Sequence, residues 1–112
     1  KNCDIVTLHI PLSQTNFHFF DREKLDRMSE DSILVNTSRG SVIEEKELLK
    51  KLKREELRYV CLDVFENEPS LRTEFFSYRN TTLTNHIAGK TEESSTKMAK
   101  EIFAKIINFY KY

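Results

Sequence analysis

Four apolar runs punctuate the chain: CDIVTLHI (3–10), SILVNT (32–37), RYVCLDVF (58–65) and TTLTNHI (81–87). Each is rich in apolar or β-branched residues, the types that fit a pleated and partly buried surface, so each predicts a strand. The first run meets Pro11, which has no N–H to give to a sheet ladder. The intervening segments follow a different period. Asp21 is placed to cap a short helix over 21–28, with Leu25 and Met28 three residues apart on one face. In EEKELLKKLKREEL, Leu48, Leu49 and Leu52 form an apolar stripe among charges, which predicts an amphipathic helix over 44–56. From Thr91 onward, Met98, Ala99, Ile102, Phe103, Ile106 and Tyr110 recur at helical spacing behind two first-turn glutamates, predicting a closing helix that runs through the last residues. The segment 66–80, ENEPSLRTEFFSYRN, reads as loop or broken helix.

Strands alternating with helical segments predict an α/β fold with a parallel sheet. The near-continuous apolar character of ILV and VCL predicts strands covered on both faces. At 112 residues the chain has room for one domain. Eighteen basic residues against eighteen acidic ones leave no overall field to attract nucleic acid or an anionic membrane, and the Lys and Arg of 44–56 are interleaved with Glu, as on a solvated helix face. No segment is apolar for long enough to span a bilayer, and there is no cleavable signal pattern. Cys3 and Cys61 lie in apolar stretches outside any C-x-x-C pattern, which predicts reduced core thiols in a cytoplasmic protein and no metal site. The opening residue, Lys1, leads directly into a strand, so the chain is expected to begin in mid-fold.

In an open parallel sheet, ligands gather beyond the carboxyl ends of the strands. Right-handed crossovers bring every strand back in the same direction, so those ends share one edge. The polar residues fall there: His9 and Pro11 after the first run, Thr37, Ser38 and Arg39 after the second, Asp63 after the third, and His86 with Ala88 and Gly89 after the fourth. Arg39 offers a planar fork of donors suited to a carboxylate or phosphate. His86 is the residue type best able to move a proton near neutral pH, and a carboxylate on its other nitrogen would fix its tautomer. Glu66 and Glu68 are both available for that role. Alone, a strand-end Arg reads as a surface ion pair and His86 as a loop histidine, no different in kind from His9 or His18. Together, an Arg, a Glu and a His would bind and protonate a keto acid.

At this point LHIPL (8–12), ILVNTSRGSVIEEKEL (33–48), LDVFENEP (62–69) and LTNHIAGKTEE (83–93) resemble, in order and spacing, the nucleotide-binding domain of the D-isomer-specific 2-hydroxyacid dehydrogenases, in the manner of the phosphoglycerate dehydrogenases. The resemblance implies that Arg39 holds the substrate carboxylate, that His86 is the proton donor and that Glu68, immediately before Pro69, is its partner. It implies that Thr37, Ser38, Asp63, Ala88 and Gly89 line the nicotinamide end of NAD, with NADP not excluded, and that His9 and Pro11 lie along the dinucleotide. The chemistry implied is exchange of a hydride between a nicotinamide cofactor and a small 2-hydroxy or 2-keto acid.

The departures are specific. A dinucleotide fingerprint needs G-x-G-x-x-G. This chain has only Gly40 and Gly89, 49 positions apart. Residues 1–112 therefore read as one half of a Rossmann-type doubly wound sheet, about four parallel strands and three helices, with the glycine-rich half and a substrate domain absent. Asn85 replaces the proline that the family usually places before the histidine, which removes a rigid φ and is expected to loosen His86. Glu30 and Asp31 replace a Pro-Gly turn, with no expected effect. Such a half-domain would expose its first strand as an open edge and associate with itself, binding NAD weakly and not turning over alone. The alternative from another class is a non-catalytic scaffold of the same fold that senses nucleotide or binds protein. The retained Arg39, Glu68 and His86 favour the enzyme.

Overall fold

The computed structural model describes residues 3–70 and 72–110. Four strands, β1 (Ile5–Leu8), β2 (Ile33–Asn36), β3 (Tyr59–Leu62) and β4 (Thr81–Leu83), lie side by side in chain order and pair in parallel throughout. Three helices accompany them: α1 (Arg22–Asp26), α2 (Glu45–Lys53) and α3 (Glu92–Phe109). Single 3-10 turns cover Gly40–Val42 and Thr73–Ser77, the latter inside the segment expected to be loop or broken helix. The α/β architecture of four parallel strands and three helices is thus present.

Local chemistry sets the boundaries. Asp21 caps α1 by accepting the Lys24 N–H at 3.0 Å, and Thr91 caps α3 by accepting the Ser94 N–H at 3.1 Å. The turn carrying Glu30 and Asp31 closes with the Ser32 N–H donating to the Ser29 carbonyl at 3.0 Å. Helix α2 stops at Lys53, short of the expected 56, because Glu55 enters the left-handed region at φ 57° and the Glu56 N–H turns back to the Lys51 carbonyl. β4 ends four residues before the expected 87, where the chain turns from Thr84 to Ala88 onto Asp63. Of the expected closing helix, the last two residues lie outside the described residues.

One face of the sheet makes the core. Leu8, Leu34, Val60 and Leu62 pack with Leu25 of α1, Leu48 and Leu52 of α2, and Phe65 and Phe75 from the segment after β3. The opposite face corrects the expectation of two covered faces. The rows Ile5, Ile33, Tyr59 and Thr7, Val35, Cys61, Thr82 run across that face in register and remain half-buried or exposed. The reason is α3, none of whose residues is buried. The molecule extends 58 × 25 × 25 Å with a radius of gyration of 17.0 Å. A compact domain of this length has a radius near about 13 Å. Helix α3 therefore projects from the body with Met98, Ile102, Phe103 and Ile106 open to solvent. The core-thiol reading is corrected too: Cys3 is exposed and Cys61, on the uncovered face, is half-buried, both as free thiols.

Leu48 is fully buried beneath the sheet whereas Leu49, one position on, is partly exposed. Leu48→Ala should cost about 2–5 kcal/mol of unfolding free energy, with Leu49→Ala costing distinctly less. Urea denaturation followed by circular dichroism measures both, and equal losses would contradict the packing described.

Candidate active site

The end of β2 explains how Arg39 is presented. Asn36 is fully buried, and its amide oxygen accepts from both the Ser38 N–H (3.0 Å) and the Ser38 hydroxyl (2.8 Å), while its amide NH2 donates to the Arg39 carbonyl at 3.0 Å. One side chain thus folds residues 36–39 into a turn and leaves the Arg39 guanidinium exposed, with Nη1 on the Ser38 carbonyl at 2.7 Å. Gly40 follows because nothing larger fits. A Cβ there would lie 1.9 Å from the Phe65 carbonyl carbon and 2.4 Å from the Glu66 nitrogen. The tip of β2 is pressed against the segment leaving β3.

That segment carries the two glutamates, and the structure gives each its own histidine. His86 Nδ1 lies 2.7 Å from Glu68 Oε2. An ionised carboxylate only accepts, so Nδ1 carries the hydrogen and Nε2 is left as the position that takes or gives a proton. Glu68 Oε1 accepts the Phe65 N–H at 2.9 Å, and the Glu68–Pro69 peptide is cis. Glu66 instead contacts His18 through Oε1 and Arg72 through Oε2. The choice of Glu68 over Glu66 as the partner of His86 is therefore geometric as well as one of family pattern.

Asp63 builds the turn that holds His86. Its carboxylate, 4% exposed, accepts from the Thr84 hydroxyl (2.6 Å), the Ile87 N–H (2.8 Å) and the Ala88 N–H (2.9 Å), while its carbonyl accepts the His86 N–H at 2.8 Å. His86 itself sits at φ 50°. A left-handed residue other than glycine costs about 1–3 kcal/mol and persists only where its surroundings over-determine it. Despite Asn85, His86 is tied at its backbone and at its ring. Burial alone would push the Asp63 carboxyl up, but the Thr84, Ile87 and Ala88 donors and the His86 charge outweigh it and hold it below the usual carboxylate range. Glu68 follows the same logic: burial pushes it up, and the bonds from His86 and Phe65 with the charges of His86 and Arg39 bring it below normal. Glu68 and His86 are bonded to each other, and Arg39, which opens onto the space beside His9 and Pro11, acts on Glu68 through its charge.

The cofactor candidates divide between two openings along the same sheet edge. A cavity of about 360 Å³ is lined by Thr37, Asp63, Thr84, Ile87 and Ala88 with Leu62 beneath, a mixture of hydroxyls and apolar wall that fits a flat, partly polar ring such as nicotinamide. A second, of about 340 Å³, collects His9, Pro11, Ser38 and Arg39 between the tips of β1 and β2. His9 Nε2 lies 2.8 Å from the Thr7 hydroxyl. Gly89 lies on the exposed side of the turn, where a Cβ would meet no atom within 4 Å.

Three contributors escaped the sequence reading. By pattern Asn36 falls near the end of a predicted strand, Glu45 in a charged helical stretch and His18 in a loop. Glu45 is 3% exposed and ties α2 to the Glu66 N–H at 2.7 Å and to Arg72 at 3.0 Å. Burial pushes its carboxyl up, against the Glu66 N–H and Arg72, which pull it down. No periodicity marks Glu45 or His18, whose partners are distant in sequence, whereas Asn36 bonds within its own turn, a local signal that Asn after a strand offers.

Comparison with known proteins bears on the fold as a whole. The family model described as "D-isomer specific 2-hydroxyacid dehydrogenase, NAD binding domain" matches residues 1–88. The chain is 37% identical over 111 residues to a glyoxylate reductase of Thermococcus litoralis, covering 99% of this chain and 34% of that protein. It is 38% identical over 113 residues to an erythronate-4-phosphate dehydrogenase of a Psychrobacter species, covering 96% and 30%. Among solved structures it superposes on D-mandelate dehydrogenase of Rhodotorula graminis with a TM-score of 0.81 at 33% identity, over 87% of this chain and 28% of that one. It also superposes on an NADPH-dependent glyoxylate/hydroxypyruvate reductase of Sinorhizobium meliloti in complex with NADP and malonate, with a TM-score of 0.78 at 26% identity, over 81% and 28%. The chain spans about a third of the length of these relatives.

A carboxyl held below its ordinary range stabilises the fold above that range and loses the contribution as pH falls, because the unfolded chain then binds more protons. Asp63 and Glu68 act in this direction, whereas Glu45, pushed up, gains as pH falls. The melting temperature should drop between about pH 5 and pH 3, and Asp63→Asn should flatten that drop. Parallel curves for the two proteins would show that Asp63 is not a stabilising anion.

Proposed function

The chain belongs to the NAD-binding domain family of the D-isomer-specific 2-hydroxyacid dehydrogenases, and on that premise we propose that Arg39, Glu68 and His86 serve an NAD(P)-dependent interconversion of a small D-2-hydroxy acid and its 2-keto acid. The observation that carries this reading is the 2.7 Å contact of His86 Nδ1 with Glu68, made on the sheet edge that also presents Arg39. Arg39 spends one nitrogen on the Ser38 carbonyl and offers the remainder of its fork to the substrate carboxylate. Glu68 stays ionised and stabilises a charged His86, whose Nε2–H donates to the carbonyl oxygen as the keto acid is reduced. In the oxidative direction the neutral imidazole takes the hydroxyl proton at the same atom, and Glu68 keeps Nδ1 protonated throughout. The cavity of Thr37, Asp63, Thr84, Ile87 and Ala88 would hold the nicotinamide end of NAD(P), which when bound would supply or accept the hydride.

Ser38, His9 and Pro11 would extend that binding site along the dinucleotide, and Gly89, with no protein atom near it, would leave open room beside the cofactor. The absence of a G-x-G-x-x-G segment from these 112 residues means that the pyrophosphate would be held by residues other than these, in line with a chain one third the length of its relatives. These residues would then form the second half of a nucleotide-binding domain, inactive by itself. The glyoxylate and hydroxypyruvate reductases among the relatives support a short 2-keto acid as substrate. Two free thiols support a reducing, cytoplasmic setting. The intact Arg, Glu and His favour the enzyme over a non-catalytic scaffold.

NADH oxidation by the full-length polypeptide carrying this chain, assayed against glyoxylate, hydroxypyruvate and larger 2-keto acids, tests the assignment. Arg39→Ala should lower kcat/KM about 10–100-fold, and His86→Ala should lower kcat about 100–10,000-fold. A folded protein that binds NADH but reduces none of these acids, or variants without effect, would refute it. The isolated 112 residues should show no turnover and no saturable NADH binding at micromolar concentration. They should also run as a dimer or larger in light scattering, through the β1 edge where Ile5 is 60% exposed. A monomeric mass or tight NADH binding would count against these two expectations.

A further inference from the structure

We infer that Glu45 is a positioning residue for the acid–base pair: its buried carboxylate fixes the Phe65–Glu66 peptide against Gly40 and thereby sets the reach of Glu68 to His86. The inference rests on the proton-transfer role proposed for those two residues. In sequence, Glu45 is one of several acids at the start of a charged helix. In the fold it alone among them is buried, at 3% exposure. A buried carboxylate is costly unless each oxygen is engaged. Here Oε1 accepts the Glu66 N–H at 2.7 Å and Oε2 accepts Arg72 Nε at 3.0 Å.

The value of that arrangement lies in what the Phe65–Glu66 peptide does next. Its carbonyl side rests on the Cα of Gly40, where even a methyl group would overlap it. Its N–H is taken by Glu45. The preceding amide, Phe65 N–H, donates to Glu68 Oε1 at 2.9 Å, and Glu68 Oε2 meets His86 Nδ1 at 2.7 Å. A displacement of Phe65 that broke the Glu45 bond would carry the Phe65 amide with it and release the Glu68 oxygen that this amide holds. The groups facing Glu45 reinforce the clamp. Arg72 reaches the Glu66 carboxylate at 3.5 Å as well as Glu45, and His18 takes the other Glu66 oxygen. His18 is anchored in turn by its N–H to the Ser41 carbonyl at 2.8 Å, one residue beyond Gly40. The chain from α2 to the reacting histidine is four links long, and Gly40 denies it slack.

A double-mutant cycle in the full-length protein tests whether Glu45 acts through Glu68. Glu45→Ala should lower kcat about tenfold, with KM for the keto acid nearly unchanged, as expected for a small displacement of an acid. In a Glu68→Gln background the same substitution should add little. Glu45→Gln keeps an acceptor for the Glu66 N–H and should recover most of the loss, while Leu49→Ala on the same helix should leave kcat unmoved. Independently of turnover, a 13C NMR titration of the Glu68 carboxyl should move up toward the ordinary carboxylate range in Glu45→Ala. If Glu45→Ala does not fold, Glu45→Gln and Arg72→Ala carry the same two measurements, with smaller shifts in the same direction. Equal losses with and without Glu68, or an unmoved Glu68 titration, would overturn the inference. An unmodified protein without turnover would fail the dehydrogenase reading alone, and the Glu68 titration would still decide this one.

Discussion

The close approach of Gly40 to the Phe65–Glu66 peptide is the contact on which the site depends. A parallel sheet delivers its strand tips to one edge, but adjacent strands are about 4.8 Å apart and each tip is free to drift with its own loop. With backbone packed on backbone, the turn bearing Arg39 and the loop bearing Glu68 become a single unit. The contact holds Arg39 and Glu68 at a fixed separation without a covalent link.

Two buried carboxylates around that unit show how differently the same group is used. Asp63 receives three donors of its own and the His86 charge, which together overcome the burial that would neutralise it. Glu45, equally buried, has fewer donors and a neighbouring Glu66 charge that works against its ionisation, so its carboxyl is pushed up. Asp63 fixes the turn beneath His86, and Glu45 fixes the peptide beside Glu68. The left-handed backbone at His86 shows what the first of these arrangements has to hold.

Much of this was legible from residue types. Strand positions and the cap at Asp21 follow from local pattern, and the gathering of polar residues at one sheet edge follows from the handedness of the crossovers. The choice between Glu66 and Glu68 did not follow from the residue types alone, since it turns on contacts with His18 and Arg72 that no spacing encodes. The covered second face failed for a related reason. ILV and VCL are apolar enough for two-sided burial, yet burial needs a partner, and α3 departs from the sheet with its apolar stripe unpaired. An apolar pattern states what a surface would gain from cover and does not say what covers it.

The two glycines, alike as letters, are restrained from opposite directions. At Gly40 the chain itself forbids any side chain, so variation there is blocked before any ligand arrives. At Gly89 the fold leaves empty space and an ordinary φ, and substitution would disturb no atom of the protein. Gly40 is a demand of architecture, and any intolerance found at Gly89 would have to be imposed by a visiting molecule. Mutational tolerance at these two positions therefore separates what the fold requires from what its ligand requires.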